Sequence, residues 1–543
     1  MNPAQEQLFK EDDPIRYGEK RYRSNLILPR YMQQKTIDYR LEDDQYKKAY
    51  EIILKWIDLE ESGKLEKMKE TALQGDFFND IFGHALGYSV FSDNKDRWNL
   101  EPAFNVNGGT ADGALGFFDK DEKRPQAVIE LKGPTVNLDR HRFAGRTPVR
   151  QCWDYLYMLP GCPWGIVSNY VSIRLYHRDF TPHAYLLFVL NELKDKDKFR
   201  QFYFIFEKSG LLSIRDKKPR AQELLDLTSE RQREVGDDLY NSYSNNRINL
   251  IQHLTKPPHN KDLEKAIYIA QKLIDRIIFI AFCEDRELLP ESSISRAYEK
   301  TPPFSQATNP KWQNFLNLFK SIDKGNRKFD ISPYNGGLFR EDDEVDNLQL
   351  NDNWTDFFNN VSRYDFRDEV SVEVLGHLFE KSINDIERIR KGGLLDENIE
   401  SDKPRMLKSA ERKRHGIYYT PPEFTSFIVR KTVGEIIDSR FRGIEKKQKI
   451  KLDTAGDKPN KGAAKFWHAC LDELKQIKIV DPACGSGAFL IAAYDLLEEK
   501  YKEVIDSIGF HEDKLPDKLI DQIPDFILSY NPVSYTHLRA HET

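Results

Sequence analysis

Lys478-Ile-Val-Asp-Pro-Ala-Cys-Gly-Ser-Gly-Ala-Phe489 is the stretch on which the reading of this chain turns. Lys478 to Val480 predict a short buried strand. Asp481-Pro482 ends it, Gly485-Ser486-Gly487 makes a tight turn, and Ala488 to Glu499 reads as a helix. An acid at a strand end, then a glycine turn into a helix N-terminus, is how an α/β sheet holds a small ligand. The glycines let the backbone approach closely, and the helix end favours negative charge. The sequence ends at Thr543, too soon after Phe489 for the remainder of such a domain.

Working outward, the stretch lacks the Gly-x-Gly-x-x-Gly of a dinucleotide fold and the Gly-Lys-Ser/Thr of a phosphate loop. Upstream stands Gly416-Ile-Tyr-Tyr-Thr-Pro-Pro-Glu423, with a helix expected from about Phe424. Thr420 suits an N-cap and Pro421 the first helical position. Together these two segments resemble the S-adenosylmethionine site of gamma-type adenine-N6 DNA methyltransferases. The resemblance implies that Tyr419, Thr420, Pro421, Asp481, Pro482, Ala483, Cys484, Gly485, Gly487 and Phe489 bind the cofactor, with Asp481 accepting from its ammonium group.

Such enzymes also need an Asn/Asp-Pro-Pro-aromatic segment that receives the target adenine. Asn531-Pro-Val-Ser-Tyr535 does not qualify, because the second proline is replaced and the aromatic comes one position late. Pro532 to Thr543 resembles translated adapter sequence, and residues 531–543 are set aside as a non-native tail. Asp525 to Tyr530 is expected to begin the next strand.

A second constellation lies at 100–180, where short apolar runs alternate with Gly, Pro and Asn. Ala127–Leu131, Gly165–Ser168 and Val171–Tyr176 read as strands around one helix. Asp112 and Glu130 are eighteen residues apart, enough for two adjacent strands and a turn. In Glu130-Leu131-Lys132, period-two alternation puts the acid and the lysine on one face. Two carboxylates hold a hard cation such as Mg²⁺, which activates water, and the lysine steadies developing charge.

This arrangement resembles the PD-(D/E)xK nucleases, with Ala111-Asp112 in place of Pro-Asp. Gln151 and Tyr155 resemble their QxxxY element. The resemblance implies catalytic roles for Asp112, Glu130, Lys132 and Gln151, with Asp112 and Glu130 as metal ligands. Arg140, Arg142, Arg146 and Arg150 form a basic cluster suited to phosphate contacts. Asp80 or Glu70 is the candidate for an upstream helical acid.

Composition agrees with a large, polar, globular protein. The 543 residues suggest about two to four domains, with 39% hydrophobic and 31% charged residues. A net charge of −6 gives no global nucleic-acid signature but leaves room for a local basic groove. The five cysteines contain no Cys-x-x-Cys pair, which fits a reduced cytoplasmic protein without structural zinc. The most apolar run, Leu273 to Phe282, is too short and too charged to span a bilayer.

The fold class expected is therefore multidomain α/β. A peripheral segment (1–45) precedes a restriction-endonuclease-like α/β core (46–182) and an α-helical connector (183–390). The start of a Rossmann-like S-adenosylmethionine-dependent methyltransferase domain (391–530) follows. Helices are expected over 46–88, with Phe77, Phe78, Ile81, Phe82 and Leu86 apolar, and over Leu263–Arg286. In this order the parts resemble the single-chain type IIG restriction–modification enzymes, here truncated at the C-terminus. That resemblance implies a prokaryotic, cytoplasmic protein acting on double-stranded DNA, with S-adenosylmethionine and Mg²⁺ as cofactors and no obligate protein partner. Two rivals stay open: an adenine methyltransferase of a phage-defence system whose N-terminal domain does not cut, and an inactive DNA-binding fragment.

Overall fold

A computed structural model gives the fold. It describes residues 23–37, 39, 44–68, 70–93, 96–106, 109–139, 141, 143, 146–214, 217–299, 307–334, 337–370, 374–376, 378, 382, 385–386, 389–390, 422–448, 461–481, 487–512, 522–523, 526–527 and 531. The chain divides into two compact units, 1–32 with 224–417 and 33–223 with 418–543.

The second unit opens with helix α1 (Asp44–Glu61), whose buried Ala49, Ile53, Trp56 and Ile57 form one apolar stripe. Helix α2 (Glu70–Phe77) continues into a π-helical stretch, Phe78–Ala85, that buries Phe78, Ile81, Phe82 and Ala85. Six strands of this unit follow: β1 (Trp98–Val106), β2 (Gly109–Phe118), β3 (Lys123–Leu131), β4 (Trp164–Ser168), β5 (Ser172–His177) and β6 (Ala184–Val189). They hydrogen-bond in the order β6-β5-β4-β3-β2-β1. Every pairing is antiparallel except β3 with β4, which is parallel.

A parallel pair needs a crossover, and here helix α3 (Pro148–Met158) supplies it. Thr147 caps α3 by accepting from the Arg150 N–H, and Pro148 takes the first turn. The helix lies so close to the sheet that a Cβ on Gly165 would sit 2.6 Å from Cys152 Sγ.

Beyond residue 418 this unit is helical among the described residues. Helices Pro422–Val429, Glu435–Gln448, Lys461–Lys475 and Ala488–Glu512 enclose a core that includes Phe441, Phe466, Cys470, Leu497, Tyr501 and Ile505. The expected strand at Lys478–Val480 is corrected. Ile479 makes only a single bridge, and Lys478 and Val480 face solvent. Among the described residues no further pairing extends that bridge into a strand. The strand expected from Asp525 is corrected as well: Phe526 and Ile527 are helical, and the Asn531 N–H bonds back to the Ile527 carbonyl at 3.0 Å.

The first unit is a helical assembly, with Arg220–Thr255 (mostly in this unit), Leu263–Asp285, Pro310–Lys324 and Trp354–Val361 as main helices. Leu263–Asp285 buries Ile267, Ala270, Ile274, Ile277, Ile278 and Ala281, the face its periodicity predicts. Arg276 is fully buried and bonds the Leu338 carbonyl at 2.9 Å and Asp346 at 3.0 Å. Phe339 lies in the core; Phe379 falls outside the described residues.

Two expected boundaries change. Residues 1–45 are not all peripheral: Leu26, Ile27, Leu28 and Met32 are buried, and Asn25 bonds Asp368 through its backbone N–H (2.8 Å) and its amide (2.9 Å). The boundary at 182/183 falls inside a hairpin, because β6 pairs with β5 and extends the sheet to Val189.

Candidate active site

Strands β2 and β3 pair antiparallel with Gly113 opposite Ile129, a register that sets Asp112 beside Glu130 on one side of the sheet. The Leu131 N–H donates to Asp112 Oδ2 at 2.7 Å, which fixes the carboxylate against the neighbouring strand. Lys132 Nζ donates to Glu130 Oε1 at 2.6 Å and lies 3.6 Å from Asp112 Oδ2. Glu130 and Lys132 are both buried. Glu130 and Lys132, which alternation places on one face, thus meet Asp112 of the adjacent strand at the end of the hairpin.

The shell around them comes from three other elements. From α2, Gln74 Nε2 donates to the Asp112 carbonyl (3.3 Å) and to Asp112 Oδ1 (3.4 Å). From α3, the Tyr155 hydroxyl donates to the Thr110 carbonyl at 3.0 Å and so braces β2 two residues before Asp112. Gln151 lies one turn earlier on α3, and its Oε1 is buried without a hydrogen bond among the described residues. From the segment before α3, the Phe143 ring lies 5.2 Å from Lys132 Nζ, a cation–π distance.

The electrostatics follow from this crowding. Burial pushes the Glu130 carboxyl up to about 7, and the negative charge of Asp112 pushes the same way. Lys132 and then Arg146 pull it back down. Burial also pushes the Tyr155 hydroxyl up to about 12, with Glu130 as the next cause. Glu130 Oε2 is buried with no hydrogen bond among the described residues. Two adjacent carboxylates, one with an orphaned oxygen, fit a hard cation that takes oxygen ligands. Among the described residues no group of three or more His, Cys, Asp and Glu gathers as a metal cluster. Two carboxylates plus water and phosphate oxygens are nonetheless a sufficient set for Mg²⁺.

The upstream-acid expectation for Asp80 is corrected. It accepts from Trp56 Nε1 at 3.4 Å and pairs with His84 at 3.5 Å, and it is Gln74 that reaches Asp112. Glu70 opens α2, but its side chain lies outside what is described, as do Arg140 and Arg142. Arg150 pairs with Asp154 at 2.9 Å. Gln74 and Phe143 carry no signal in the sequence that would have marked them.

Of the second constellation, Tyr419, Thr420, Pro421, Pro482, Ala483, Cys484 and Gly485 fall outside the described residues. Asp481 is half-buried. Gly487 takes φ +84° and offers its carbonyl to the Ile491 N–H at 2.9 Å, starting helix Ala488–Glu512. That left-handed backbone favours glycine. Phe489 packs, partly buried, against the helical core. Asn531, expected in a non-native tail, is instead fully buried. Its amide donates to the Leu474 and Ile477 carbonyls (both 2.7 Å) and accepts from the Tyr501 hydroxyl (2.9 Å).

Comparison with known proteins adds the following. Residues 453–527 match the family described as MmeI, DNA-methyltransferase domain. Over 296 residues the chain is 30% identical to a Methanocaldococcus jannaschii protein assigned by name as type II restriction enzyme and methyltransferase RM.MjaORFECS2P; the match covers 48% of this chain and 23% of that one. Over 273 residues it is 25% identical to the Escherichia coli type II restriction enzyme and methyltransferase RM.Eco57I, covering 48% and 21%. The match therefore spans less than a quarter of either curated relative. Among solved structures, the type IIL restriction–modification enzyme MmeI in complex with DNA aligns with TM-score 0.32 at 17% identity, over 50% of this chain and 30% of that one. The type IIG restriction endonuclease BpuSI aligns with TM-score 0.23 at 13% identity, over 82% and 40%.

Proposed function

We propose, for a chain that is a relative of the type II restriction enzyme–methyltransferases and carries an MmeI-type methyltransferase segment, two chemistries on one polypeptide. The first is hydrolysis of DNA phosphodiesters at Asp112, Glu130 and Lys132. The second is S-adenosylmethionine-dependent adenine-N6 methylation served by the segments Tyr419–Pro421 and Asp481–Phe489. The partner is double-stranded DNA, and the setting is the prokaryotic cytoplasm. Among the described residues no helix is long and apolar enough to cross a membrane.

The observation that carries the nuclease reading is the pairing of Asp112 with Glu130 across β2 and β3, with Lys132 Nζ between them. Asp112 and Glu130 would hold Mg²⁺, which when bound polarises the phosphate and activates water. The rest falls to the chain itself. The Leu131 N–H and Gln74 keep Asp112 from rotating, and Tyr155 holds its strand. Lys132 presents a buried ammonium that orients an attacking water and offsets charge growing on the phosphate. At the second site Asp481 would accept from the cofactor's ammonium group, and Gly487 supplies the turn into the helix. Its φ of +84° suits glycine. No Asn/Asp-Pro-Pro-aromatic segment occurs in the sequence, so the methyl-transfer step itself is assigned to no residue here.

Nicking of supercoiled plasmid by wild type and Lys132→Ala, with Mg²⁺ and with chelator, tests the first chemistry. Titration of S-adenosylmethionine into wild type and Asp481→Ala tests the second; equal binding by both would remove Asp481 from the site.

A further inference from the structure

We propose that Arg146, tethered by Asp154, contacts the scissile phosphate at the Asp112–Glu130–Lys132 centre. This rests on the nuclease reading and names a substrate-binding residue for it. Phe143 and Arg146 exchange both backbone hydrogen bonds, Phe143 N–H to the Arg146 carbonyl at 2.8 Å and the reverse at 3.1 Å. In such a pair the two side chains project to the same side. The Phe143 ring lies against Lys132 Nζ, so the Arg146 side chain leaves the backbone on the side that faces this centre.

Its tether is loose. Arg146 Nη1 is 3.4 Å from Asp154 Oδ2, whereas Asp154 Oδ1 takes Arg150 at 2.9 Å. The Arg146 side chain is 38% exposed, against 16% for Asp154. An arginine carries five N–H donors in a planar fork matched to phosphate, and the Asp154 contact occupies one nitrogen. The contact is partly exposed and long, and Asp154 already has Arg150 as a closer partner, so this pair is a weak structural tie. Charge points the same way. Before a metal binds, the carboxylates outnumber the ammonium, and an arginine beside them offers a second cation to an incoming phosphodiester.

The test is plasmid cleavage in Mg²⁺ by the full chain, with Lys132→Ala as the inactive reference and thermal melting of every variant. Arg146→Ala is expected to lower kcat/KM about 100-fold, the loss typical of one transition-state donor, with unchanged melting. Arg146→Lys, which keeps the charge but not the fork, should recover part of it. Asp154→Asn, a positioning variant, should raise KM while kcat stays within about threefold, as expected when a binding group is present but untethered. Arg146→Ala cleaving at the wild-type rate while Lys132→Ala is dead would overturn the proposal and leave the nuclease reading standing. So would equal losses in Arg146→Ala and Arg146→Lys accompanied by lowered melting. Wild type no faster than Lys132→Ala would overturn the nuclease reading itself.

Discussion

Leu131 donates its backbone N–H to Asp112 Oδ2 at 2.7 Å. The strand that carries Glu130 and Lys132 on one face therefore also fixes the third member of the group through the residue between them. One hairpin register sets all three. A slip of one residue would send Glu130 and Lys132 to the opposite side of the sheet.

The same precision makes α3 sensitive to volume. Gly165→Ala places a methyl 2.6 Å from Cys152 Sγ and 3.0 Å from Leu156 Cδ1, both buried. It should destabilise the sheet unit by about 1–3 kcal/mol. Cys152→Ala in the same chain removes the closer clash and should restore part of the loss. Chemical denaturation of both variants checks this, and a double variant no better than Gly165→Ala would contradict the packing.

Glu284 gives the helical unit a pH dependence. Burial pushes its carboxyl up to about 7, although it accepts from the Ile294 N–H at 2.7 Å. A carboxyl whose folded value exceeds its ordinary 4.5 contributes stability that is full below that value and is lost as pH rises through about 7. The midpoint of thermal unfolding should therefore fall between pH 4.5 and 7. Glu284→Gln, which keeps an acceptor for Ile294 without ionising, should flatten that decline.

Asn531 ties together two helices of the methyltransferase segment through three hydrogen bonds. Asn531→Ala would leave two buried carbonyls and a hydroxyl without that partner. It should cost about 1–3 kcal/mol, measured by urea unfolding against wild type. An unchanged midpoint would mean that this residue is as dispensable as the tail in which the sequence reading placed it.

What the sequence made legible follows from how local each signal is. Alternation and spacing sufficed for Asp112, Glu130 and Lys132, because a hairpin is built from neighbours in the chain. Helix Leu263–Asp285 was legible because its apolar positions repeat at helical period. Gln74 was not, since only helix-to-sheet packing reveals that it reaches Asp112. Nor was the burial of Leu26 to Leu28, three apolar residues whose covering surface is distant in sequence. The strand expected at Lys478–Val480 failed because a strand is a property of its partners. Asn531 was discounted for the company it keeps in sequence, while its role depends on Leu474, Ile477 and Tyr501.

The central claim, that Asp112, Glu130 and Lys132 form a metal-dependent nuclease centre, meets its most direct test in Mg²⁺-dependent nicking of supercoiled plasmid by the full chain. The account predicts cleavage by wild type that chelator abolishes and that Lys132→Ala lacks, with the variant's melting unchanged. Equal nicking by wild type and Lys132→Ala, or none by either, would contradict it.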